Sequence, residues 1–169
     1  MPIPTPSMAP AERTQPKAIR YYWEDLALGS TRELGSVQPT LEQIKAFAIQ
    51  FDPQPFHVDE VAARDSLFGG LCASGWHTCA MAMRLMVDGF LCESASLGSP
   101  GLESVKWHKP VFPGDTLSLS QTVLENRPMA TRPDVGLVRT AWLMVNQRGE
   151  KVLTMDGYGM FRRRTPAAQ

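Results

Sequence analysis

The sequence predicts an α+β domain in which one antiparallel sheet wraps a single long buried helix. Three observations carry that expectation. The hydrophobic pattern changes from helix-like to strand-like near residue 100. The segment GWHTCAMAMRLMVD over 75–88 is apolar almost all the way round, broken chiefly by His77, Thr78, Arg84 and Asp88, and a helix with so little polar face belongs in a core. A run of long strands follows it, and a core helix needs a layer of apolar surface to pack on.

Taken in order, the chain opens with Pro2, Pro4, Pro6, Pro10 and Pro16. Proline removes backbone donors and fixes φ, so 1–19 reads as a flexible arm. A strand is expected around 30–38. Thr40, with Gln43 three residues later, forms a capping box opening a helix through Leu41, Ile44, Phe47 and Ala48. Pro53 and Pro55 bound it, because each disfavours helical geometry in the residue before it. Asp59 is placed to cap a short helix over 60–65, ended by Phe68-Gly69-Gly70. Ser74 is placed to cap the core helix over 75–88, with Gly89 as its C-terminal stop. Strands are expected at 103–112, 115–126, 135–146 and 150–162, with turns at Pro113-Gly114-Asp115 and Gln147-Arg148-Gly149. Leu117, Leu119 and Gln121 alternate with Ser118, Ser120 and Thr122, the pattern of a strand buried on one face. The arginines at 162–164 read as solvated charge, and 163–169 as a flexible tail. One domain, 20–162, accommodates everything between arm and tail.

Composition excludes several classes. The chain has 169 residues, 17 basic and 17 acidic side chains, 43% hydrophobic and 20% charged residues. Balanced charge argues against nucleic acid as a partner, and the apolar content is too high for a disordered chain. No apolar run approaches the roughly 18 residues that a spanning helix needs, and the start has no secretory pattern, so no membrane partner is expected. Three cysteines, Cys72, Cys79 and Cys92, do not suit a disulfide framework and point to a reducing cytoplasm.

Chemistry concentrates in Phe51-Asp-Pro-Gln-Pro-Phe-His57. Two prolines stiffen this loop, which presents a carboxylate, Asp52, and an imidazole, His57. Stiffly held acid and base groups suit proton transfer, and burial can raise the pKa of such a carboxyl. The same residues equally suit an aspartate capping a turn beside a packed histidine. Ser74-Gly75 is the second candidate. The first helical amide has no intrahelical acceptor, sits at the positive end of the helix dipole and could hold an oxyanion; it could also be an ordinary capped helix start. His77 and His108 are isolated, so no metal site is expected. Cys72 and Cys79 read as small hydrophobes, and Met81, Met83 and Met86 as packing. No phosphate-binding glycine motif or nucleophile elbow is present, so no cofactor is expected.

The runs F-D-P-Q-P-F-H, F-G-G-L-C-A-S-G-W-H and K-P-V-F-P-G-D-T-L together resemble the MaoC-like dehydratases, relatives of the (R)-specific enoyl-CoA hydratases in the hot dog superfamily. The resemblance spans roughly 22–162. It implies the hot dog fold, a homodimer or higher homo-oligomer, and a hydro-lyase of fatty acid metabolism acting on an enoyl-CoA or 3-hydroxyacyl-CoA thioester. It implies that Asp52 and His57 hold one water for acid–base catalysis and that the Gly75 amide receives the thioester oxygen, with Gln54 and Ser74 in support. Two positions depart from the family pattern. Gln54 stands where the family has asparagine, and Ser74 where histidine is frequent, which leaves the substrate type open. Phe56, Trp76, Met83 and Trp107 are expected to set the depth of the acyl tunnel, and Arg64, Lys106 and Lys109 are available for CoA phosphates. The alternatives are a hot dog acyl-CoA thioesterase, many of which carry a carboxylate on the central helix, and a non-catalytic acyl-CoA-binding domain.

Overall fold

The structure, a computed structural model, describes residues 18–164. Strand β1 (Thr31–Val37) is followed by α1 (Leu41–Phe51), α2 (Pro55–Val58), α3 (Glu60–Arg64) and α4 (Gly75–Gly89). Four long strands complete the chain: β2 (Ser96–Trp107), β3 (Leu117–Met129), β4 (Arg132–Val145) and β5 (Lys151–Arg162). They form one antiparallel sheet in the order β1-β3-β4-β5-β2. The sheet curls around α4, the expected hot dog arrangement.

Local chemistry explains the helices. Both halves of the α1 capping box are made, Gln43 N–H to Thr40 Oγ1 at 3.3 Å and Thr40 N–H to Gln43 Oε1 at 2.9 Å. Asp59 accepts from Val61 and Ala62 amides to start α3. In β3, Leu117, Leu119, Gln121 and Val123 are buried while Ser118, Ser120 and Thr122 are half-buried. The inward row meets Met81, Ala82, Leu85 and Met86 of α4, with Ile44, Met144 and Leu153 completing the core.

Five expectations change. First, α4 is covered on one side only. Trp76 is 62% exposed and Met83 51%, because five strands wrap part of the helix circumference. Second, β2 runs Ser96–Trp107 rather than 103–112. Its length is set by pairing with β5, from Ser96 opposite Phe161 to Trp107 opposite Leu153, with irregularities around Gly98 and Gly101 that no local periodicity signals. Third, the β3–β4 hairpin extends to Met129 and Arg132, beyond the apolar alternation, because ladder hydrogen bonds continue without it. Fourth, Arg163 and Arg164 are not free tail. The Arg163 amide donates to the Asp134 carbonyl, and Arg164 pairs with Asp25 at 2.7 Å. The remaining residues of that tail, 165–169, and all of the expected arm except 18 and 19 lie outside the described residues.

Fifth, Gly89 ends the helix but not as a left-handed glycine cap. It is the last residue of α4 and lacks a positive φ. Its lack of a side chain serves a close approach instead, since a Cβ there would lie 2.6 Å from the Leu34 carbonyl oxygen of β1. Alanine gains at most about 1 kcal/mol in helix propensity, whereas forcing backbone apart costs about 1–3 kcal/mol. Gly89→Ala therefore lowers Tm by several degrees, read by thermal unfolding, even though alanine is the better helix former.

Candidate active site

The 52–57 segment is stiff, as its prolines require, but it is not a simple loop. Asp52 closes α1, its amide donating to the Ala48 carbonyl at 2.8 Å. Gln54 is extended, and Pro55 starts the single turn α2, because its fixed φ suits the first helical position and the donor it lacks is not needed there. That turn swings His57 into the interior, where it is 5% exposed.

Burial fixes the imidazole chemically as well as spatially. Nδ1 lies 2.7 Å from the Cys72 carbonyl oxygen. A carbonyl only accepts, so Nδ1 carries a proton, and Nε2 faces Asp52 Oδ2 at 3.5 Å. The ring packs edge-on to Phe56 and lies near-parallel to Phe68.

Asp52 is held from two sides. The Ser74 hydroxyl donates to Oδ2 at 2.6 Å, and the Gln54 amide donates to Oδ1 at 2.8 Å. Gln54 therefore turns back onto the carboxylate two residues before it. Burial pushes the Asp52 carboxyl up, but the Ser74 hydroxyl, the Gln54 amide and the neighbouring imidazole outweigh it and hold the group below its ordinary 3.8. The expected upward shift is thus reversed, and Asp52 is an ionised carboxylate at neutral pH.

The lowered value has a consequence for stability. A carboxyl whose folded pKa lies below its unfolded one stabilises fully above the unfolded value and loses that contribution as pH falls through the folded value. Ser74→Ala removes one of the stabilising donors as well as the α4 cap, where the Ser74 oxygen accepts from the Trp76 amide at 3.2 Å. The stability gap between wild type and Ser74→Ala, measured by urea unfolding, is expected to be wider at about pH 6 than at about pH 3. The cap component persists at both.

Ser74 is 99% buried and joins Asp52 to the start of α4. The Gly75 amide is the first in that helix, without an intrahelical acceptor. Asp52, His57, Ser74 and Gly75 all line one cavity of about 430 Å³, with Gln54, Phe56, Phe68, Trp76, Trp107 and Lys109 also in its walls. The cavity thus brings together an ionised carboxylate, an imidazole and a free amide, the elements needed to move a proton and to stabilise an oxyanion.

Lys109 lines the cavity but pairs with Glu150 at 2.8 Å, while Arg64 and Lys106 are absent from its walls. His108 also lines the cavity, and its Nε2 lies 2.8 Å from the Thr154 hydroxyl. His77 stacks on Phe47, and burial lowers its pKa. The Cys72 thiol is pushed up to about 11 by burial and is no nucleophile. Phe56, Trp76 and Trp107 border the cavity, but Met83 lines a second one of about 330 Å³ between α4 and the sheet, with Cys79, Met86 and Trp142. Asp88, the carboxylate nearest a thioesterase pattern, sits at the far end of α4, paired with Arg84 at 2.6 Å. Among the described residues, no group of three or more His, Cys, Asp and Glu is placed to hold a metal ion, and no helix is long and apolar enough to cross a membrane.

Two site contacts escape sequence reasoning. The Cys72 carbonyl that orients His57 is a backbone group carrying no residue-type signal. The indole of Trp107 covers Gly75 from the end of β2, a contact across 32 residues.

Comparison with known proteins gives the site a context. The family model described as MaoC like domain matches residues 26–141. The chain is 44% identical to the MaoC-like dehydratase from Rhodospirillum rubrum, whose solved structure is similar with a TM-score of 0.80, covering 86% of this chain and 99% of that one. It is 31% identical over 130 residues to the uncharacterized protein YdeM of Bacillus subtilis (strain 168), covering 76% of this chain and 90% of that protein. A shorter match, 45% identical over 71 residues, is to the mesaconyl-CoA hydratase of Cereibacter sphaeroides, covering 40% of this chain and 20% of that protein.

Proposed function

The chain belongs to the MaoC-like dehydratase family, and on that premise we propose that it is a hydro-lyase adding water to the double bond of an enoyl-CoA thioester, or removing it from a 3-hydroxyacyl-CoA. The observation that carries this reading is the meeting of Asp52 Oδ2 and His57 Nε2, 3.5 Å apart, in a cavity that also receives the Gly75 end of α4. Asp52, ionised, takes a proton from water as the oxygen bonds to C3. Negative charge then develops on the thioester oxygen, where the Gly75 N–H donates to it. A proton returns to C2 from the Asp52–His57 pair on the same face. Hydroxide and proton have then added across the double bond, and the pair has regained its starting charge. The two groups act as a unit in this reading. Water is the only co-substrate, and no cofactor is required.

The test is hydration of trans-2-enoyl-CoA thioesters of short, branched and long chains by the purified full chain, with mesaconyl-CoA, named for one relative, in the panel. Loss of the enoyl chromophore is expected with at least one of them. Silence across the panel, with the protein folded, overturns the reading.

We propose further that the protein works as a homodimer in the cytoplasm, where its three free cysteines stay reduced. Strand β2 is a sheet edge, exposed along nearly all of its length, and an uncovered edge invites pairing. Two copies joined by a two-fold cover it. Light scattering is expected to give at least twice the 18.7 kDa chain mass; a stable monomer at micromolar concentration refutes the dimer.

A further inference from the structure

The geometry points to Trp107 as a positioning residue that holds the Gly75 amide at the place where the thioester oxygen gains charge, an inference that rests on the hydro-lyase reading above. Trp107 is the last residue of β2 and is anchored by its register opposite Leu153 of β5. The following amide, that of His108, donates to the Val152 carbonyl at 2.8 Å, so the sheet fixes the backbone on both sides of the indole. From there the indole makes two contacts with one residue. Its Nε1–H donates to the Gly75 carbonyl at 2.9 Å. Its ring lies so close to the Gly75 Cα that a Cβ there would sit 2.7 Å from Cε2 and 2.8 Å from Nε1. Trp76 meets the same ring edge-on, centroids 5.5 Å apart.

The first turn of a helix is its least constrained part, because its amides have no intrahelical acceptors. Gly75 adds the conformational freedom of glycine at that point. Ser74 ties the turn to Asp52 on one side, and Trp107 ties it to the sheet on the other. A hydrogen bond to the Gly75 carbonyl does not polarise the Gly75 N–H, which belongs to the preceding peptide. The role of Trp107 is therefore geometric: it restricts rotation about Gly75 and keeps the free amide aimed into the cavity. Loss of such aim lowers the rate of the chemical step more than it weakens ground-state binding.

The experiment separates donor from ring. Trp107→Phe keeps an aromatic cover on Gly75 and removes the N–H. Incorporation of 3-benzothienylalanine at position 107 keeps the full bicyclic shape and replaces the N–H by sulfur, so folding is preserved even where phenylalanine packs poorly. Each is expected to lower kcat for the best enoyl-CoA roughly tenfold, with KM changed less than about threefold. The independent readout is the infrared carbonyl stretch of bound butyryl-CoA, an unreactive saturated thioester. Wild type is expected to shift it to lower frequency than in water, and both Trp107 replacements to return most of that shift. Unchanged kcat and an unchanged stretch in the benzothienyl protein overturn the positioning role while leaving hydration intact. A wild type that hydrates nothing overturns the hydro-lyase reading, and this inference with it.

Discussion

Asp52→Asn is expected to lower kcat for enoyl-CoA hydration by roughly 10²–10⁴-fold, the usual worth of a positioned acid or base, while the protein stays folded. With its oxygen at the Oδ1 position the asparagine still accepts from the Gln54 amide, and its amide at the Oδ2 position can donate to His57 Nε2 while the Ser74 hydroxyl reorients, so the buried imidazole keeps a partner. What it cannot do is take a proton from water. His57→Gln likewise keeps a donor for the Cys72 carbonyl and loses the imidazole that exchanges the proton, with a loss of similar size expected. Because both side chains face one site, 3.5 Å apart, the double variant is expected to be little worse than either single one, as groups acting as a unit are strongly non-additive. Steady-state kinetics on the variants, normalised to folded protein by circular dichroism, decide the matter. Near wild-type turnover by folded Asp52→Asn would end the mechanism proposed here, and fully multiplicative losses would separate the two groups into independent roles.

Gly75→Ala is the second large effect expected. The added methyl cannot be accommodated where it falls, 2.7–2.8 Å from two atoms of the Trp107 ring, so either the indole or the first turn of α4 must move. The first frees the Gly75 amide from its tie to the sheet, and the second displaces it from the cavity. Removing an oxyanion donor costs roughly 10²–10³ in kcat, and misplacing one by about an ångström approaches that figure. The clash also destabilises, by about 1–3 kcal/mol as overpacking does. A second change, Trp107→Leu, relieves the clash and is expected to restore most of the lost Tm. It does not restore kcat, because the turn then lacks its tie to the sheet. Recovery of full activity in that double variant would show that the amide needs no such tie; wild-type kcat in Gly75→Ala alone would show that the amide takes no part in the reaction.

Much of this molecule follows from short-range chemistry. The capping box of Thr40 and Gln43, the Asp59 and Ser74 caps, the proline boundaries of α1 and the alternation in β3 each depend on residues within a few positions of one another, and each is realised. The pairing of Asp52 with His57 is also local, since two prolines leave the intervening chain few conformations. Other features have causes that lie far apart in the chain. β2 takes its length from its ladder with β5 rather than from any alternation of its own. Gly89 looks like a helix stop, but its reason is the backbone of β1. The direction of the Asp52 pKa rests in part on a hydroxyl 22 residues away, so burial alone suggests the wrong sign. The imidazole tautomer depends on a backbone carbonyl, and the cover over Gly75 on an indole at the end of a distant strand. Caps, turns and periodicity are written in residue types because they act through neighbouring backbone; register, close approach and electrostatic balance arise when distant segments meet, and the residue types alone do not say which segments those are.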